Sequence, residues 1–318
     1  MIISPKLLFP LTALLLCCSV DVVGEVVAGE EEHQHTPLVV RSRPVIERLP
    51  ARVVDPCDVA LTLHGDTLVA DRAGRLVLSI DQFGETHLVA RNLNHVSRLA
   101  DSPLGVHLLL NDGGSSRIVR CLDNGVIGDV AHLPFDAVGF GADIVGNLLT
   151  ADRRSGQIWR IHSDGQPEVI GQVTEPVKDV AVDASGNAVV LLQSGRIETM
   201  QTDGGSVVAG YVSREATRIR IHPQRFVVAL VPDPGHRAAL MRPTENRDDD
   251  ELRYAVVPAG TQAFAFDTLG NLTLASTDLR AVTRVTSCFR VPCPHCGQQI
   301  PMTLSPDAPP TEPAGRSF

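Results

Sequence analysis

The 318-residue sequence contains few aromatic residues and almost no lysine. Aromatic residues make up 4% of it, Trp159 is its one tryptophan, and Lys6 and Lys178 are its two lysines. The formal net charge is −9 at pH 7. Nucleic acids and anionic membranes attract dense basic patches, so this acidic balance argues against either of them as a general partner.

Helical periodicity is also missing, and no segment beyond the N-terminal apolar stretch is long enough to span a bilayer. The chain is 43% hydrophobic and 20% charged, with 26 glycines and 22 prolines. This composition is ordinary for a globular protein and excludes collagen, a coiled coil and wholesale disorder. It indicates many turns and short strands.

The N-terminus predicts export. Residues 1–24 have the form of a secretory signal peptide, because a short start that contains Lys6 is followed by the apolar run Leu7–Val20. Residues 25–44 are then expected to form a solvated linker. The mature chain would lie in the periplasm or outside the cell, with no transmembrane span.

Two alternatives to a cleaved signal remain open. One is an uncleaved anchor, and the other is a lipoprotein modified at Cys17 or Cys18. Lipidation is disfavoured by Leu16, because a lipoprotein signal carries a small residue at that point.

Turn-like segments that contain glycine recur about every forty residues. One series has separations of 40, 41, 40 and 84 residues: Gly65, Gly105, Gly146, Gly186 and Gly270. The double gap contains one more unit, whose turn, His222–Arg225, has no glycine. A second series has separations of 41, 40 and 39 residues: Gly84, Gly125, Gly165 and Gly204. Two turns per unit, with apolar runs between them, predict four-stranded antiparallel units.

In the first unit the predicted strands, A to D, are 59–63, 67–70, 76–80 and 86–90. One such sheet cannot bury both of its faces, so six units are expected to pack radially. The sequence therefore predicts an all-β fold, a six-bladed β-propeller of four-stranded antiparallel blades over residues 45–287.

The sixth unit supplies three predicted strands, at 263–266, 272–275 and 282–286. Its outer strand has to come from elsewhere in the chain. Val45–Leu49 precedes the first strand A at the offset that strand D has in later units. We therefore expect this segment to complete the sixth blade as a latch that joins the two ends of the repeat.

Strand A is the innermost strand of a propeller, and its sequence predicts what lines the channel. One row of positions is small in five units of six: Ala60, Ala100, Gly141, Ala181, Arg220 and Ala265. Crowding at the axis explains such residues. Two residues earlier stand Asp58, Arg98, Gly139, Asp179, Arg218 and Ala263. We interpret their charges as a self-neutralising ring that closes the channel entrance, with a ligand site as the alternative.

Two stretches carry a family resemblance. Asp179–Asn187, followed by Ser194–Ile197, and Gly146–Asp152, followed by Gln157–Ile158, resemble NHL-repeat β-propellers. Those repeats contain a D-x-x-G-N turn, a strand ending in V-A-D and then R-I. The likeness covers residues 56–286 and is informative about fold but not about function. The single tryptophan makes a WD-repeat propeller a poor fit.

The resemblance implies several possible functions. Exported six-bladed relatives include gluconolactonase-like hydrolases, strictosidine-synthase-like proteins and non-catalytic binding proteins. The lactonase branch holds a divalent cation in the channel on Glu, Asn and Asp side chains. Here strand A offers Asp58 and Asp179 beside Arg98 and Arg218, with no Glu or Asn. Because arginines repel a metal ion, the resemblance does not extend to that activity.

The tail contains a short cysteine motif within residues 288–300. Cys288 is followed by Cys293 and Cys296 in a C-P-x-C-G knuckle. Zinc needs four ligands and normally two knuckles, so a disulfide within the tail is favoured over a zinc site. Residues 301–318 are proline-rich and are expected to be disordered.

The remaining cysteines of the mature chain, Cys57 and Cys121, are expected to be small buried thiols. Since Cys57 precedes a strand A and Cys288 follows a strand C, we expect them on opposite faces and unbonded.

The sequence leaves the function less defined than the fold. The first expectation is an exported, non-enzymatic propeller that binds an unidentified protein or small molecule through its BC loops and the starts of its A strands. The candidate contacts are Asp58, Arg98, Asp112, Asp152, Arg153, Lys178, Asp179, Arg218 and His236. The alternative is a metal-dependent, lactonase-like hydrolase or lyase. Asp–Arg pairing in the channel favours the binder, whereas three converging oxygen ligands favour the enzyme.

Overall fold

A computed structural model describes residues 45–122, 125–201, 204–232, 237–247, 249, 252–286 and 302–303. Within these ranges the regular elements are 25 strands, and there is no helix. None of the described residues therefore belongs to a helix that could cross a membrane. The predicted signal peptide, linker and cysteine knuckle lie outside the described residues.

Twenty-four of the strands form six four-stranded antiparallel sheets, each a blade of a propeller. Blade 1 contains β2 (Pro56–Leu61), β3 (Thr67–Asp71), β4 (Leu76–Ile80) and β5 (Thr86–Arg91). Blade 2 contains β6 (Val96–Ser102), β7 (Gly105–Asn111), β8 (Ser116–Cys121) and β9 (Ile127–Leu133). Blade 3 contains β10 (Ala137–Ala142), β11 (Leu148–Asp152), β12 (Gln157–Ile161) and β13 (Pro167–Gln172).

The second half of the ring repeats this order. Blade 4 contains β14 (Val177–Val182), β15 (Ala188–Leu192), β16 (Arg196–Met200) and β17 (Ser206–Tyr211). Blade 5 contains β18 (Arg218–Ile221), β19 (Val227–Val231), β20 (Arg237–Arg242) and β21 (Leu252–Pro258). Blade 6 contains β22 (Thr261–Phe266), β23 (Leu272–Ser276) and β24 (Ala281–Thr286), together with β1 (Val45–Arg48).

The predicted latch is present. Strand β1 pairs with β24 antiparallel, with Val45 opposite Thr286 and Arg48 opposite Thr283. The inner strand of each blade contacts the inner strands of both neighbouring blades, and β22 contacts β2 to close the ring. The predicted six-bladed fold is therefore confirmed.

The apolar core lies between blades, where facing sheets cover each other. Leu68 and Val77 of blade 1 pack with Leu99 and Leu108 of blade 2 in one buried cluster. Similar clusters join the other blades, so most of the fully buried side chains lie at blade interfaces. Burying such aliphatic side chains is the main force that holds a ring of sheets together.

The D-x-x-G-N segments form the turns between strands A and B. In blade 3 the Asp143 carboxylate accepts hydrogen bonds from the backbone N–H of Val145 and Asn147 and from the Asn147 side chain. Blades 4 and 6 repeat this arrangement. The glycine at the fourth position has φ near +90°, which a residue with a Cβ rarely adopts. In blade 5, Arg225 takes this conformation, with φ of 67°.

Two details differ from the sequence prediction. Strand A of blade 1 spans Pro56–Leu61 rather than 59–63, because Thr62 and Asp66 already bond across the following turn. Met302–Thr303 form a short strand, β25, parallel to β21 in a segment that we predicted to be disordered. The edge of blade 5 offers unpaired backbone groups to which such a segment can bond.

Cys57 and Cys121 are free thiols, as predicted. Cys57 is buried, and Cys121 is half-buried. Burial raises the pKa of each thiol to about 11. Both side chains are therefore protonated at neutral pH and act as small apolar groups.

Candidate functional site

The starts of the inner strands bring a repeating set of side chains to the channel. Going round the ring from blade 1, the positions are Asp58, Arg98, Gly139, Asp179, Arg218 and Ala263. The order acid, arginine, small residue thus occurs twice, once in blades 1 to 3 and once in blades 4 to 6. This pattern gives the channel entrance an approximate two-fold symmetry.

The two aspartates make matching contacts. Asp58 Oδ2 accepts the backbone N–H of Leu99 in blade 2 at 2.8 Å. Asp179 Oδ2 accepts the backbone N–H of Ile219 in blade 5 at 2.9 Å. Both carboxylates are fully buried. Each aspartate therefore joins its own blade to the next one along the chain.

Arg98 and Arg218 each pair with an aspartate that lies two blades further along the ring. Arg98 Nε lies 3.4 Å from Asp179 Oδ1, across blade 3. Arg218 donates to the backbone oxygen of Cys57 and lies 3.8 Å from Asp58 Oδ1, across blade 6. Gly139 and Ala263 are the equivalent residues of the blades that are crossed, and they present no long side chain there.

Arg220 breaks the two-fold symmetry. Its counterpart in blade 2 is Ala100, but its own guanidinium donates to Asp58 Oδ1 at 3.1 Å and to Asp179 Oδ2 at 3.3 Å. It therefore connects the two halves of the ring. Together with Arg98 and Arg218 it pairs with the two aspartates in what we call the channel cluster: Asp58, Arg98, Asp179, Arg218 and Arg220.

The channel cluster carries more positive than negative charge. It contains three guanidinium groups and two carboxylates. Arg218 is more than nine-tenths buried, and burial, together with the neighbouring Arg98, lowers its pKa to about 10. Among the described residues, Arg98 Nε and Arg218 Nη1 are buried without a hydrogen-bond partner. Every oxygen atom of the two carboxylates, by contrast, accepts at least one hydrogen bond.

The AB turns and CD turns lie on one face of the ring, the AB face, and the BC loops lie on the other, the BC face. The remaining predicted contacts on the BC face form local interactions. Arg153 pairs with Asp136 at 2.8 Å, and Asp152 accepts hydrogen bonds within its own loop. Asp112 is exposed in the blade 2 loop. Lys178 Nζ donates to the backbone oxygens of Arg214 and Ala216. His236 lies outside the described residues.

A cavity of about 200 Å³ occupies the other half of the channel. It is lined by the whole row of positions that we predicted to be small: Ala60, Ala100, Gly141, Ala181, Arg220 and Ala265. Ends of A strands, such as Leu61 and Phe266, complete its walls. The cavity therefore lies on the AB side of the channel cluster, and its lining side chains are apolar apart from Asp101 and Arg220. We call it the channel cavity.

Asp101 is the one acidic residue among the described residues that line the channel cavity. Its Oδ2 accepts the backbone N–H of Leu63 at 2.9 Å. Burial raises the pKa of Asp101 above its ordinary value, in spite of hydrogen bonds from backbone N–H groups that act in the opposite direction. An acid with a raised pKa among apolar side chains is suited to proton transfer.

The AB face also carries exposed apolar side chains. They are Leu63, Leu104, Ile144, Val145 and Leu269 in AB turns and Phe83, Leu122 and Val126 in or beside CD turns. Among the described residues of the BC face, the exposed large apolar side chains are Val54 and Leu279. In this part of the chain the AB face is thus the more apolar of the two, and the channel cavity belongs to it.

The residues of the channel do not fit the divalent cation of the lactonase branch. Such an ion needs several free oxygen ligands, but Asp58 and Asp179 are held by guanidinium and backbone N–H groups. Three arginines would surround the ion. Charge and donor chemistry therefore both oppose a metal at this position.

Elsewhere in the described part of the chain, Asp81, Glu85 and His87 place ligand atoms within 4.8 Å of one another. Asp81 Oδ1 already accepts the backbone N–H groups of Phe83 and Glu85, and the group lies on a surface turn. The choice between a disulfide and zinc at Cys288, Cys293 and Cys296 falls outside the described residues and stays a prediction.

In the sequence, Arg220 is the exception in a row of small residues, and its central position in the channel cluster is not predicted. Its central role could have been suspected because it is the only charged member of that row. The channel cavity was also missed. Small residues were attributed to crowding alone, which holds at Gly141, where a Cβ would lie 2.6 Å from Val182 Cγ2. Around the rest of the row they leave open space.

Comparisons with known proteins extend the description of the fold. No protein-family model matches this chain, and no curated protein sequence matches it either. Solved structures do match. Virginiamycin B lyase from Staphylococcus aureus has 12% sequence identity and a TM-score of 0.57, and the match covers 77% of this chain and 99% of the lyase.

Two further structures have the same architecture. A gluconolactonase from Xanthomonas campestris has 11% identity and a TM-score of 0.56, with 77% of this chain and 90% of that chain covered. The PQQ-bound aldose sugar dehydrogenase from Streptomyces coelicolor has 15% identity and a TM-score of 0.54, with 76% and 98% covered. At these identities the likeness shows the propeller fold alone, and these neighbours are enzymes.

Proposed function

We propose that this protein is an enzyme of the hydrolase or lyase class that acts on a small molecule in the channel cavity. The observation that carries the proposal is a cavity whose lining residues include one acid, Asp101, and one arginine, Arg220, among apolar side chains. The structural neighbours, a lyase, a gluconolactonase and a sugar dehydrogenase, favour an enzyme over the non-enzymatic scaffold that we first expected.

The chemistry would rest on proton transfer by Asp101. In hydrolysis its carboxylate would take a proton from the water that attacks an ester or lactone carbonyl. In a lyase reaction it would take a proton from carbon while the leaving group departs. In either case negative charge develops on the substrate, and the Arg220 guanidinium is the group in the cavity that can stabilise it.

The proposed reaction uses no metal in the channel cluster. The oxygen atoms of Asp58 and Asp179 already accept hydrogen bonds, and three guanidiniums would repel a divalent cation. This separates the proposal from the metal-dependent, lactonase-like reaction that the resemblance implied. The export expected from residues 1–24 is part of the proposal, and it makes small molecules outside the cytoplasm the relevant substrates.

A panel of lactones, esters and elimination substrates, each tested with and without EDTA, examines this function directly. We expect turnover that EDTA does not reduce and that falls at least about 100-fold in Asp101→Asn. Asp112→Asn is the matched control, because it makes the same change in the same blade but on the BC face. Turnover that EDTA abolishes, or that survives in Asp101→Asn, would contradict the proposal.

The second candidate is the exported, non-enzymatic binding protein. One observation favours it: Asp–Arg pairing closes the channel below the BC face, so loops on that face can present a flat rim to a partner. Absence of turnover across the whole substrate panel would favour this candidate over the enzyme.

A further inference from the structure

The channel cluster has one positive charge more than its aspartates can neutralise. Among the described residues, the carboxylates that pair with Arg98, Arg218 and Arg220 are those of Asp58 and Asp179. The guanidiniums also donate to the backbone oxygens of Ser97, Gln262, Cys57 and Ile219, but these oxygens carry no full charge. A buried charge without an opposite charge destabilises a folded protein. The closed ring thus contains a position where an added negative charge would stabilise the protein.

Hydrogen-bonding capacity is left over as well. Arg218 Nη1 is buried and unbonded, and its nearest carboxylate oxygen, Asp58 Oδ1, is 3.8 Å away. Arg98 Nε is unbonded too, although it lies within ion-pair range of Asp179. Each aspartate already accepts one hydrogen bond from Arg220 and one from a backbone N–H group. Two guanidinium nitrogens at this point of the channel therefore have no acceptor among the described residues.

The channel cavity reaches the channel cluster through Arg220 alone, because neither Arg98 nor Arg218 is among the residues that line it. Arg220 belongs both to the channel cluster and to the lining of the cavity, and its side chain is 17% exposed. The other walls come from Ala, Gly, Leu, Val, Ile and Phe residues, apart from Asp101 at the ends of the A strands. A charged end beside Arg220 would thus be followed by an apolar body against these walls.

We propose that the channel cavity binds a small monocarboxylate whose apolar body fills the cavity and whose carboxylate pairs with Arg220. The volume fits: a cavity of about 150 Å³ holds benzene, so one of about 200 Å³ can take an ion the size of benzoate. Guanidinium and carboxylate form the strong, charge-assisted pair that such a site requires. The inference rests on the proposed function only in that a carboxylate is the product of ester or lactone hydrolysis in the same cavity.

Asp101 provides a second test of the proposal, because its charge should affect carboxylate binding in the opposite direction to the charge of Arg220. Asp101 is a lining residue of the same cavity, so its carboxylate repels a bound carboxylate whenever both are ionised. Asp101 is half-buried, and solvent screening weakens this repulsion. Removing the charge of Arg220 should weaken carboxylate binding, and removing the charge of Asp101 should strengthen it.

Isothermal titration of the mature protein with benzoate, and with benzamide as its neutral counterpart, tests the proposal. We expect benzoate to bind at least tenfold more tightly than benzamide. Arg220→Met should remove this preference, Asp101→Asn should tighten benzoate binding about threefold, and Arg153→Met on the BC face should change nothing. Equal affinity for the two compounds, or binding of neither, would overturn the proposal.

If Arg220→Met does not fold, two further measurements still test whether benzoate binds in the channel cavity. Ala60→Leu occupies space in the channel cavity while all five residues of the channel cluster stay unchanged, and it should abolish benzoate binding. A crystal soaked in 4-bromobenzoate should show the bromine anomalous signal inside the channel, on the AB side of Arg220. A signal elsewhere, or full binding by Ala60→Leu, would refute the site. Benzoate binding without any enzymatic turnover would leave this inference standing and overturn only the proposed function.

Discussion

The two ends of the channel are built from the same six inner strands, yet they are held together in different ways. At the BC end, contacts join residues far apart in the sequence: Asp58 and Arg220 are separated by 162 positions, and Arg98 and Asp179 by 81. At the AB end, the D-x-x-G-N turns are held by local contacts, and the bond from Leu63 to Asp101 joins neighbouring blades. Asp143 and Asn147, four residues apart, satisfy each other within one turn.

The two ends of the channel therefore depend on different kinds of contact. The D-x-x-G-N turns can form within a single blade, because the aspartate and asparagine that bond each other come from the same short segment. The channel cluster exists only in a closed ring, because blades 1, 2, 4 and 5 each contribute to it. We therefore expect substitutions at the BC end to affect the whole ring and substitutions at the AB end to remain local.

Two glycines give the largest expected contrast. Gly139 and Gly65 both have positive φ, but a Cβ on Gly139 would lie 1.9 Å from the Val180 backbone nitrogen, whereas a Cβ on Gly65 would meet nothing within 4 Å. Gly139→Ala adds a clash between blades 3 and 4 to the backbone strain and should lower the free energy of unfolding by about 4 kcal/mol or more. Gly65→Ala should lower it by about 1 kcal/mol. Urea unfolding measures both values, and equal losses would refute the contrast.

Aspartates at the two ends give the next contrast. Asp179→Ala leaves Arg98 and Arg220 short of a partner in a buried site and should lower the free energy of unfolding by about 3 kcal/mol or more. Asp143→Ala removes only hydrogen bonds within a turn and should cost about 1 kcal/mol.

The approximate two-fold symmetry adds a check on this contrast. Asp58→Ala should cost about as much as Asp179→Ala, because the two aspartates make matching contacts. A large difference between them in urea or thermal unfolding would show that the two halves of the channel cluster are not equivalent.

Acid should weaken the AB end first. Burial lowers the pKa of His107 and of His222 from 6.5 to about 4. The unfolded chain therefore binds more protons than the folded protein between about pH 6.5 and pH 4, so stability falls as the pH falls through this window. Each histidine can account for up to about 3 kcal/mol of this loss.

His222→Asn tests the acid effect. The asparagine amide can still accept the Gln224 backbone N–H that His222 Nδ1 accepts at 3.1 Å, but it does not titrate. We expect a lower stability at pH 7, because the stacking with Phe226 is lost, and a smaller decrease between pH 7 and pH 4. Urea unfolding at several pH values measures this slope, and an unchanged slope would exclude His222 as a source of the acid effect.

The sequence was informative wherever structure is local and repeated. Glycine spacing predicted the turns, the turns predicted six blades, and the three-stranded sixth unit predicted the latch at Val45–Leu49, of which β1 (Val45–Arg48) is the observed strand. Even the blade 5 turn without glycine was located, because His222–Arg225 falls at the expected distance. Local rules of this kind act through φ, ψ and alternation, which a single sequence displays.

The candidate site depends on long-range geometry and was predicted only in part. The charged row was identified, and the Asp–Arg pairing expected there is present. Which arginine lies at the centre was not predictable, because Arg220 belongs to the next row and reaches both aspartates only through the length of its side chain. The channel cavity exists because the small side chains of the inner row leave space empty. A row of alanines in a sequence is compatible with tight packing and with an empty space, so the sequence alone does not predict the cavity.

The latch has a consequence for the order of events in folding. Strand β1 is among the first strands to leave the ribosome, but its partner β24 ends at Thr286, so the pair cannot form until nearly the whole propeller has been synthesised. Until then blade 6 has no outer strand, and the N-terminal strand has no sheet to join. Closing a ring over such a long stretch of chain is slow, because the most distant contacts must wait for the others. Final closure is therefore a late event, and only the closed ring assembles the channel cluster completely.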